Sequence, residues 1–235
     1  MKNLVYTGGI FHDFAATTRA LTEVLAGADF ESAFSYDLDD CARQLASGNI
    51  DLFTVCALRW RMLDGEKYVP YRRDWALQTT PTTRRLIDGY VSRGGGLLAL
   101  HTAAICFDDW PEWSAMLGAN WVWGQSWHPP LQATQVSLAK PEHPVLQGVR
   151  AFELVDEVYQ ALDLRGSIEV LATAATGGDT QQHPVAWLNH YGNGRVFCNT
   201  LGHDDSSVRQ PMHAELLRQA ARWATYGQPL DTRTR

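Results

Sequence analysis

A run of three glycines, a short apolar segment and a histidine constrain the fold more than any other stretch of this chain. The segment reads Gly94-Gly95-Gly96-Leu97-Leu98-Ala99-Leu100-His101. Its apolar part is too short for a free helix and too hydrophobic for a loop, which is typical of a buried strand in a parallel sheet. Ligands of open α/β sheets bind at the carboxyl ends of the strands. We therefore predict that His101 lies at a functional edge of such a sheet.

Length and charge favour one α/β domain and exclude several classes of partner. No Pro/Ser-rich linker or run of charge divides the 235 residues, so we predict a single domain over residues 1–235. The net charge is −6 and the basic residues are scattered, whereas nucleic-acid binding needs a basic stripe. No apolar run is long enough to span a bilayer, and the first residues do not resemble a signal peptide. We therefore expect neither a nucleic-acid nor a membrane partner.

The four cysteines are far apart in the sequence and include no CxxC pair; they are Cys41, Cys56, Cys106 and Cys198. This usage is typical of reduced, mostly buried thiols in a reducing compartment. We accordingly expect a cytoplasmic protein.

The first half of the chain alternates apolar strands with segments of helical periodicity. Strands are predicted at residues 3–7, 30–36, 50–57 and 96–100, and helices at residues 14–25, 39–47, 81–92 and 111–117. Two strand–helix repeats followed by another strand predict a parallel sheet with right-handed crossovers. Residues 58–80 are polar and aromatic without a clear period, and loops of that length are often functional.

The second half is richer in extended segments. Strands are predicted at residues 134–139 and 168–173, and a further extended piece at residues 152–159. Residues 184–191 and 195–200 form a hairpin in this prediction, because Gly192-Asn193-Gly194 separates two alternating runs. A closing amphipathic helix contains Leu216 and Leu217 on its apolar face.

Four histidines stand at predicted strand ends or in stiffened loops: His12, His101, His128 and His203. Any one of them, beside glycine or proline, is most simply interpreted as a turn residue. His101 and His203, however, directly follow apolar strands, and a parallel sheet brings the carboxyl ends of its strands together. This pairing favours a shared functional site over four independent turns.

Nine tryptophans are many for this length, and three of them, Trp121, Trp123 and Trp127, lie in one loop. Aromatic clusters are often ordinary core. Near a cleft they also suit sugar rings, whose C–H faces pack on indole. We predict that this loop covers a substrate.

Three segments of the sequence resemble the ThuA-like, or trehalose-utilisation, family. They are GGGLLALHTAA at residues 94–104, DEVY at residues 156–159, and PVAWLNHYGNGRVFCNTLGHD at residues 184–204. The resemblance implies a class I glutamine amidotransferase-like fold of the flavodoxin type. This is an α/β three-layer sandwich with a mostly parallel central sheet, helices on both faces and an antiparallel hairpin in the second half.

The same resemblance argues against amidotransfer. In the amidotransferases a cysteine lies on the sharp turn after the central strand, and a histidine and a glutamate follow a later strand. Here the turn carries His101 and Thr102, and His203 with Asp204 stands at the position of the partner. The thiolate needed for thioester chemistry is missing from the turn, and Cys106 lies beyond it as buried packing.

Two kinds of chemistry remain open at this predicted site. In the first, His101, His203, Asp204 and Glu157 are the catalytic acid–base groups, because imidazoles and carboxylates move protons near neutral pH. In the second, His101, His128 and His203 bind a divalent metal such as zinc, and His12, Asp13 or Glu157 completes the ligand set. No HxH or HExxH spacing supports the metal. The predicted substrate-binding residues are His12, Asp13, Thr102, Trp123, His128 and Tyr159.

The family resemblance implies an enzyme of carbohydrate metabolism that acts on a small sugar or keto-sugar. The alternative is a non-catalytic sugar-binding or regulatory protein that kept the fold after the cysteine was lost. We also expect a homodimer to be possible, with the aromatic segment from Tyr68 to Trp75 as a candidate interface.

Overall fold

A computed structural model of the protein describes residues 1–176 and 180–227. The strands are β1 (Lys2–Gly9), β2 (Glu31–Ser35), β3 (Leu52–Leu58), β4 (Gly96–Leu100), β5 (Ala119–Asn120), β6 (Gln132–Leu138), β7 (Phe152–Asp156), β8 (Asp163–Leu164), β9 (Glu169–Thr176), β10 (His183–Tyr191) and β11 (Gly194–Asn199). The helices are α1 (Phe14–Ala26), α2 (Leu38–Ala46), α3 (Arg72–Trp75), α4 (Pro81–Ser92), α5 (Pro111–Leu117), α6 (Asp205–Arg209) and α7 (Pro211–Tyr226).

Nine of these strands form one mixed sheet in the order β2-β1-β3-β4-β11-β10-β9-β6-β7. The pairings from β2 to β11 are parallel, and those from β11 to β7 are antiparallel. Half of the pairings are therefore antiparallel, whereas the sequence predicts antiparallel pairing only in one hairpin. Only the hairpin has a local turn signal, whereas the addition of β9, β6 and β7 depends on distant pairing.

Two apolar cores, one on each face of the sheet, hold the helices. Along β1 the side chain of Val5 joins one core, while those of Leu4 and Tyr6 join the other. This alternation follows from the period-two geometry of a strand. The first core contains residues of α1, α6 and α7, and the second contains residues of α2, α4 and α5. Helices thus cover both faces, as the sequence predicts.

The glycines before β4 are explained by close packing. A β-carbon at Gly96 would come within 2.8 Å of the Ala224 carbonyl oxygen at the end of α7. One at Gly95 would come within 2.5 Å of the Tyr90 ring. Only glycine lets the central strand lie this close to its flanking helices. All five residues of β4 are buried, which is typical of a strand covered on both faces.

The directions of the strands determine which residues meet at the carboxyl edge of the sheet. The alternating antiparallel pairings give β7 the same direction as β4 and β11. The residues that follow β1, β4, β7 and β11 therefore emerge at one edge. Within the described residues no helix is long and apolar enough to cross a membrane.

The segment between β3 and α4 is ordered and folds over this edge. It contains a 3₁₀ helix at Glu66–Tyr71 and the short helix α3. Tyr68 is only 6% exposed, while Val69 is 51% exposed. The segment therefore has one buried and one exposed side, with Tyr68 packed toward the interior.

Candidate functional site

Three histidines and one glutamate converge at the carboxyl edge of the sheet. His12 follows β1, His101 follows β4, Glu157 follows β7 and His203 follows β11. One side-chain nitrogen or oxygen from each of the four lies within 4.8 Å of the others. We call these four residues the histidine–glutamate cluster. Four separate strands supply one side chain each, which explains why no short sequence motif marks the site.

His101 occupies a strained turn directly after β4. Its φ of 50° lies in the left-handed region, which is uncommon for a non-glycine residue and is often associated with functional sites. The side chain is 3% exposed, and Nδ1 lies 2.8 Å from the Thr200 carbonyl oxygen. The turn therefore directs Nε2 toward the cluster.

His12 and Tyr159 contact the same nitrogen of His101. Nε2 of His12 lies 3.2 Å from Nε2 of His101, and the Tyr159 hydroxyl lies 3.3 Å from it. His12 Nδ1 lies 3.3 Å from the Ile10 carbonyl oxygen. In both rings Nδ1 therefore contacts a backbone carbonyl oxygen, and the two Nε2 atoms face each other.

Glu157 is the carboxylate of the cluster. Its Oε2 lies 3.4 Å from His203 Nδ1, 3.4 Å from His128 Nδ1 and 3.8 Å from His101 Nε2. His203 Nδ1 is buried, and despite this proximity it makes no hydrogen bond of good geometry with the described residues. The contact between His203 and Glu157 is therefore electrostatic rather than well directed.

Burial and mutual contact shift the pKa values of these groups in different directions. Burial, reinforced by the neighbouring imidazoles, lowers the pKa of His12 to about 4, and burial lowers that of His101 to about 4. The contact with Glu157 raises the pKa of His203. Burial alone would raise the pKa of Glu157, but the contacts with His203, His101 and His128 outweigh it and lower that pKa.

Asp156 lies behind the cluster and holds two of its backbone segments. Its carboxylate is 0% exposed and accepts hydrogen bonds from Glu157 N at 2.8 Å and from Gly202 N at 2.8 Å. The Ser207 hydroxyl donates a further bond to it. Burial raises the pKa of Asp156, and these donors oppose that rise. The sequence gives no sign of this burial, because it depends on the distant segment around Gly202.

A cavity of about 560 Å³ opens above the cluster. Glu157, His12 and His203 line it, while His101 is not among the described residues that do so. His101 is therefore placed beneath the cavity floor and reaches the cavity only through its neighbours. The aromatic side chains that line the cavity are Phe11, Trp60, Tyr68, Trp121, Trp123, Trp127 and Tyr159.

The aromatic wall contains two unusual hydrogen-bond donors. Trp60 stacks on Trp123 with ring centroids 5.5 Å apart. The indole nitrogens of Trp60 and Trp121 are buried and have no hydrogen-bond partner within residues 1–176 and 180–227. Buried donors without partners are rare in folded proteins and call for an explanation at each position. A second cavity of about 510 Å³ shares Trp127 and Tyr159 with the first.

The other predicted substrate-binding residues fall into two groups. Thr102, Trp123, His128 and Tyr159 line the cavity. Asp13 does not line it, because its carboxylate caps α1 by accepting from Ala16 N at 2.9 Å. Asp204, a predicted catalytic group, likewise caps α6 by accepting from Ser207 N at 2.9 Å. Both acids have the ordinary structural role of a helix N-cap.

His128, one of the predicted metal ligands, is separate from the histidine–glutamate cluster. His128 lies outside the four-residue cluster, and His12 and Glu157 lie inside it. His128 Nδ1 is 3.1 Å from the Pro129 carbonyl oxygen, and its side chain is 37% exposed. Its place in the proline-stiffened loop keeps it on the cavity wall.

Sequence reasoning missed the wall supplied by the segment after β3. Trp60, Asp64, Lys67 and Tyr68 all line the cavity. Their only sequence signal is the polar and aromatic composition of residues 58–80, which has no period and therefore predicts no direction for any side chain.

Cys106 is buried packing, as predicted. Its thiol donates to the Ala57 carbonyl oxygen at 3.0 Å, and burial raises its pKa to about 12. Such a thiol is not a nucleophile at neutral pH.

The sequence matches the family described as trehalose utilisation, ThuA, over residues 2–224. The chain belongs to the ThuA family. The match spans every element that carries the histidine–glutamate cluster. A search of curated proteins found no match to the sequence.

Solved structures extend this relationship to the fold. A ThuA-like protein from Parabacteroides merdae has a TM-score of 0.78 and 21% identity, with 97% of this chain and 91% of that one covered. A ThuA-like protein from Bacteroides uniformis has a TM-score of 0.71 and 19% identity, with 97% and 94% covered. A cytoplasmic protein from Salmonella typhimurium has a TM-score of 0.68 and 17% identity, with 96% and 100% covered. At these identities the likeness shows the fold alone.

Proposed function

We propose that this chain is an enzyme that acts on a small sugar or keto-sugar in the 560 Å³ cavity. The observation that carries the proposal is a floor of two imidazoles and a carboxylate beneath an aromatic wall. Indole faces pack on the C–H faces of sugar rings, and the rings of Trp60 and Trp121, whose N–H groups have no partner among the described residues, line the cavity. The family's description, trehalose utilisation, agrees with this class of substrate.

The chemistry that fits the floor is proton transfer beside a carbonyl, or hydrolysis. Glu157 and His203 face the cavity and lie 3.4 Å apart, so one can accept a proton while the other returns it. A metal ion held by the cluster would supply the alternative, the polarisation of a substrate oxygen or of water. In the version without a metal, His101, which is not among the described residues lining the cavity, acts through its neighbours and is a positioning residue.

A panel of sugars and keto-sugars, followed by product analysis, tests the proposal. We expect turnover of at least one member, and loss of that turnover in Glu157→Gln and His203→Ala. Full turnover in both variants would show that the cluster is not the catalytic site.

The second candidate is a non-catalytic sugar-binding or regulatory protein. The observation in its favour is that the turn after β4 carries the imidazole of His101 where the related amidotransferases carry a thiol. Calorimetry with the same panel separates the two, because binding without product after long incubation favours the second.

We also infer a flavodoxin-type, glutamine amidotransferase-like arrangement for the parallel part of the sheet, within one domain. The order β2-β1-β3-β4-β11 corresponds to the doubly wound order 2-1-3-4-5, with β11 as the fifth parallel strand. The positive φ of His101 after β4 agrees with the sharp turn of that superfamily. The four buried free thiols are in keeping with a reducing, cytoplasmic location.

A further inference from the structure

Two imidazole nitrogens in the cluster face each other without a proton between them. Nδ1 of His101 is 2.8 Å from the Thr200 carbonyl oxygen, and Nδ1 of His12 is 3.3 Å from the Ile10 carbonyl oxygen. A carbonyl oxygen only accepts, so Nδ1 carries the single proton of each neutral ring. Both Nε2 atoms therefore present lone pairs, and these atoms are 3.2 Å apart. Such a contact is repulsive unless an electrophile lies between the two nitrogens.

The Tyr159 hydroxyl relieves only part of this conflict. It can donate its one proton to His101 Nε2, which lies 3.3 Å away. His12 Nε2 then still has no donor within the described residues. On the other side of the cluster, His203 Nδ1 is buried without a well-directed partner. The facing pair of Nε2 atoms on His12 and His101 therefore lacks a donor for one of them.

Three separations between ligand atoms of the cluster are close to the edges of a metal coordination shell, and one ligand atom from each of the four residues lies within 4.8 Å of the others. Two ligands that each lie about 2.0–2.2 Å from a tetrahedral Zn²⁺ are about 3.3–3.5 Å from each other. The observed ligand-atom separations are 3.2 Å for His12 to His101, 3.4 Å for His203 to Glu157 and 3.8 Å for His101 to Glu157. Small side-chain movements would bring all four atoms within bonding distance of one ion.

The groups behind the cluster are those that metal ligands commonly have. A ligating histidine usually donates its other N–H to a carbonyl or carboxylate, which fixes the tautomer and the ring orientation. Thr200 and Ile10 provide such carbonyls for His101 and His12. Asp156 holds the backbone of Glu157 and of Gly202, the residue before His203.

We propose that His12, His101, His203 and Glu157 bind one divalent transition-metal ion, with Zn²⁺ as the first candidate. Three imidazoles and one carboxylate suit zinc and neighbouring first-row ions. This inference rests on the proposed function only because the same side chains form the metal centre and the proposed catalytic site. It explains how buried His101 takes part in a site whose cavity it does not line.

The metal would be reachable from the cavity, because three of its four ligands line the cavity floor. A substrate oxygen or water entering from that side would add a fifth ligand, as zinc allows. His128, which lines the cavity outside the cluster, would stay unligated and free to move a proton.

Metal content of the untagged protein tests the centre without any substrate. We expect about one equivalent of zinc or a related ion by mass spectrometry of the purified chain. After chelator treatment we expect stoichiometric rebinding of Zn²⁺ in calorimetry. His12→Ala should weaken Zn²⁺ binding by ~100-fold or more, because removal of a ligand costs at least as much as removal of its supporting group.

His128→Ala is the matched control, since it removes an imidazole 3.4 Å from the same carboxylate but outside the cluster. Its Zn²⁺ affinity should stay within about threefold of the parent, since its side chain is not a ligand. Equal losses in both variants, or binding of less than about a tenth of an equivalent by the parent, would overturn the proposal.

If near-ultraviolet circular dichroism shows that His12→Ala does not fold, cobalt substitution of the parent protein tests the metal centre instead. Intense visible ligand-field bands of four- or five-coordinate Co²⁺ support the centre, and a weak hexa-aquo spectrum rejects it. These readouts stay separate from the proposed function. Turnover by a protein that binds no metal would reject only the metal centre, and metal binding without turnover would reject only the proposed enzyme.

Discussion

Two buried histidines near Asp156, His213 and His101, are similarly buried but differ in the contacts of one ring nitrogen. His213 and His101 both lie 2.8 Å, at Nδ1, from a backbone carbonyl oxygen, that of Ser207 and that of Thr200 respectively. On the other ring nitrogen they differ. His213 Nε2 accepts from the Asn199 amide at 2.7 Å, whereas His101 Nε2 faces a second lone pair on His12 at 3.2 Å.

The difference separates a structural histidine from a functional one. The network around His213 is closed, because the Asn199 side-chain oxygen accepts from Leu201 N at 2.9 Å. Both ring nitrogens of His213 thus have a partner of the right kind, so the imidazole stabilises the core. The cluster around His101 has unmatched acceptors, so it is the place where a ligand would complete the structure.

The tryptophans divide in the same way. The indole N–H groups of Trp113 and Trp187 donate to the Ala103 and Leu117 carbonyl oxygens at 3.0 and 2.7 Å. Those of Trp60 and Trp121 have no partner among the described residues, and both rings line the cavity. Of these four indoles, the two with satisfied N–H groups lie in the core, and the two without partners belong to rings that line the cavity.

The largest expected effect is that of Glu157→Gln, which removes the charge of the cluster and keeps its shape. We expect kcat/KM on the substrate identified by the panel to fall by roughly 10²–10⁴, the range for loss of a general acid–base group. Steady-state kinetics provide the measurement. Glu153→Gln on the exposed face of β7, the strand that precedes Glu157, is the control, and it should leave kcat/KM unchanged. A loss of less than about threefold in Glu157→Gln would place the chemistry elsewhere.

His213→Ala should act on stability rather than on the site. It empties a fully buried position, removes the partner of the Asn199 amide and removes one of the donors to the Ser207 carbonyl oxygen, which keeps the bond from Gln210 N. We expect a loss of about 2–4 kcal/mol in the free energy of unfolding, measured by urea denaturation. Folded His213→Ala should keep the Zn²⁺ stoichiometry of the parent. If it lost Zn²⁺ while remaining stable, the two histidine networks would not be separable.

Trp121→Phe should produce a smaller effect confined to substrate binding. The change keeps an aromatic ring in the cavity wall and deletes the partnerless N–H. We expect KM to rise by about 3–30-fold with kcat little changed, as for the loss of one hydrogen bond. Trp113→Phe deletes a satisfied N–H instead and should lower stability without changing KM. An unchanged KM in Trp121→Phe would mean that this indole does not contact the substrate through its N–H.

The smallest effect is expected at Cys106. Burial raises the pKa of this thiol to about 12, so it stays protonated until the pH rises through that value. At pH 8 only about one thiol in 10⁴ would be ionised. Iodoacetamide at pH 8 should therefore leave turnover unchanged, and Cys106→Ala should retain it within about threefold. Rapid inactivation by iodoacetamide, prevented in Cys106→Ala, would restore a cysteine mechanism.

Local periodicity was enough to predict much of the frame. Alternation of apolar runs and helical segments predicts β1 to β4 with their helices, and the turn at Asn193 predicts the hairpin of β10 and β11. Because strand ends carry their side chains to a common edge, the sequence also predicts that His101 and His203 belong together. Family membership follows from segments that are each short but occur in a defined order.

The sequence by itself therefore determined the strands, the edge where they end and the histidines delivered there. The tertiary structure alone decided which acids are helix caps, as for Asp13 and Asp204, and which is buried, as for Asp156. It also decided that His12 completes the cluster and His128 does not. The physical reason is that a side chain's role depends on whether its donors and acceptors are matched, and the matching groups come from strands far apart in the chain.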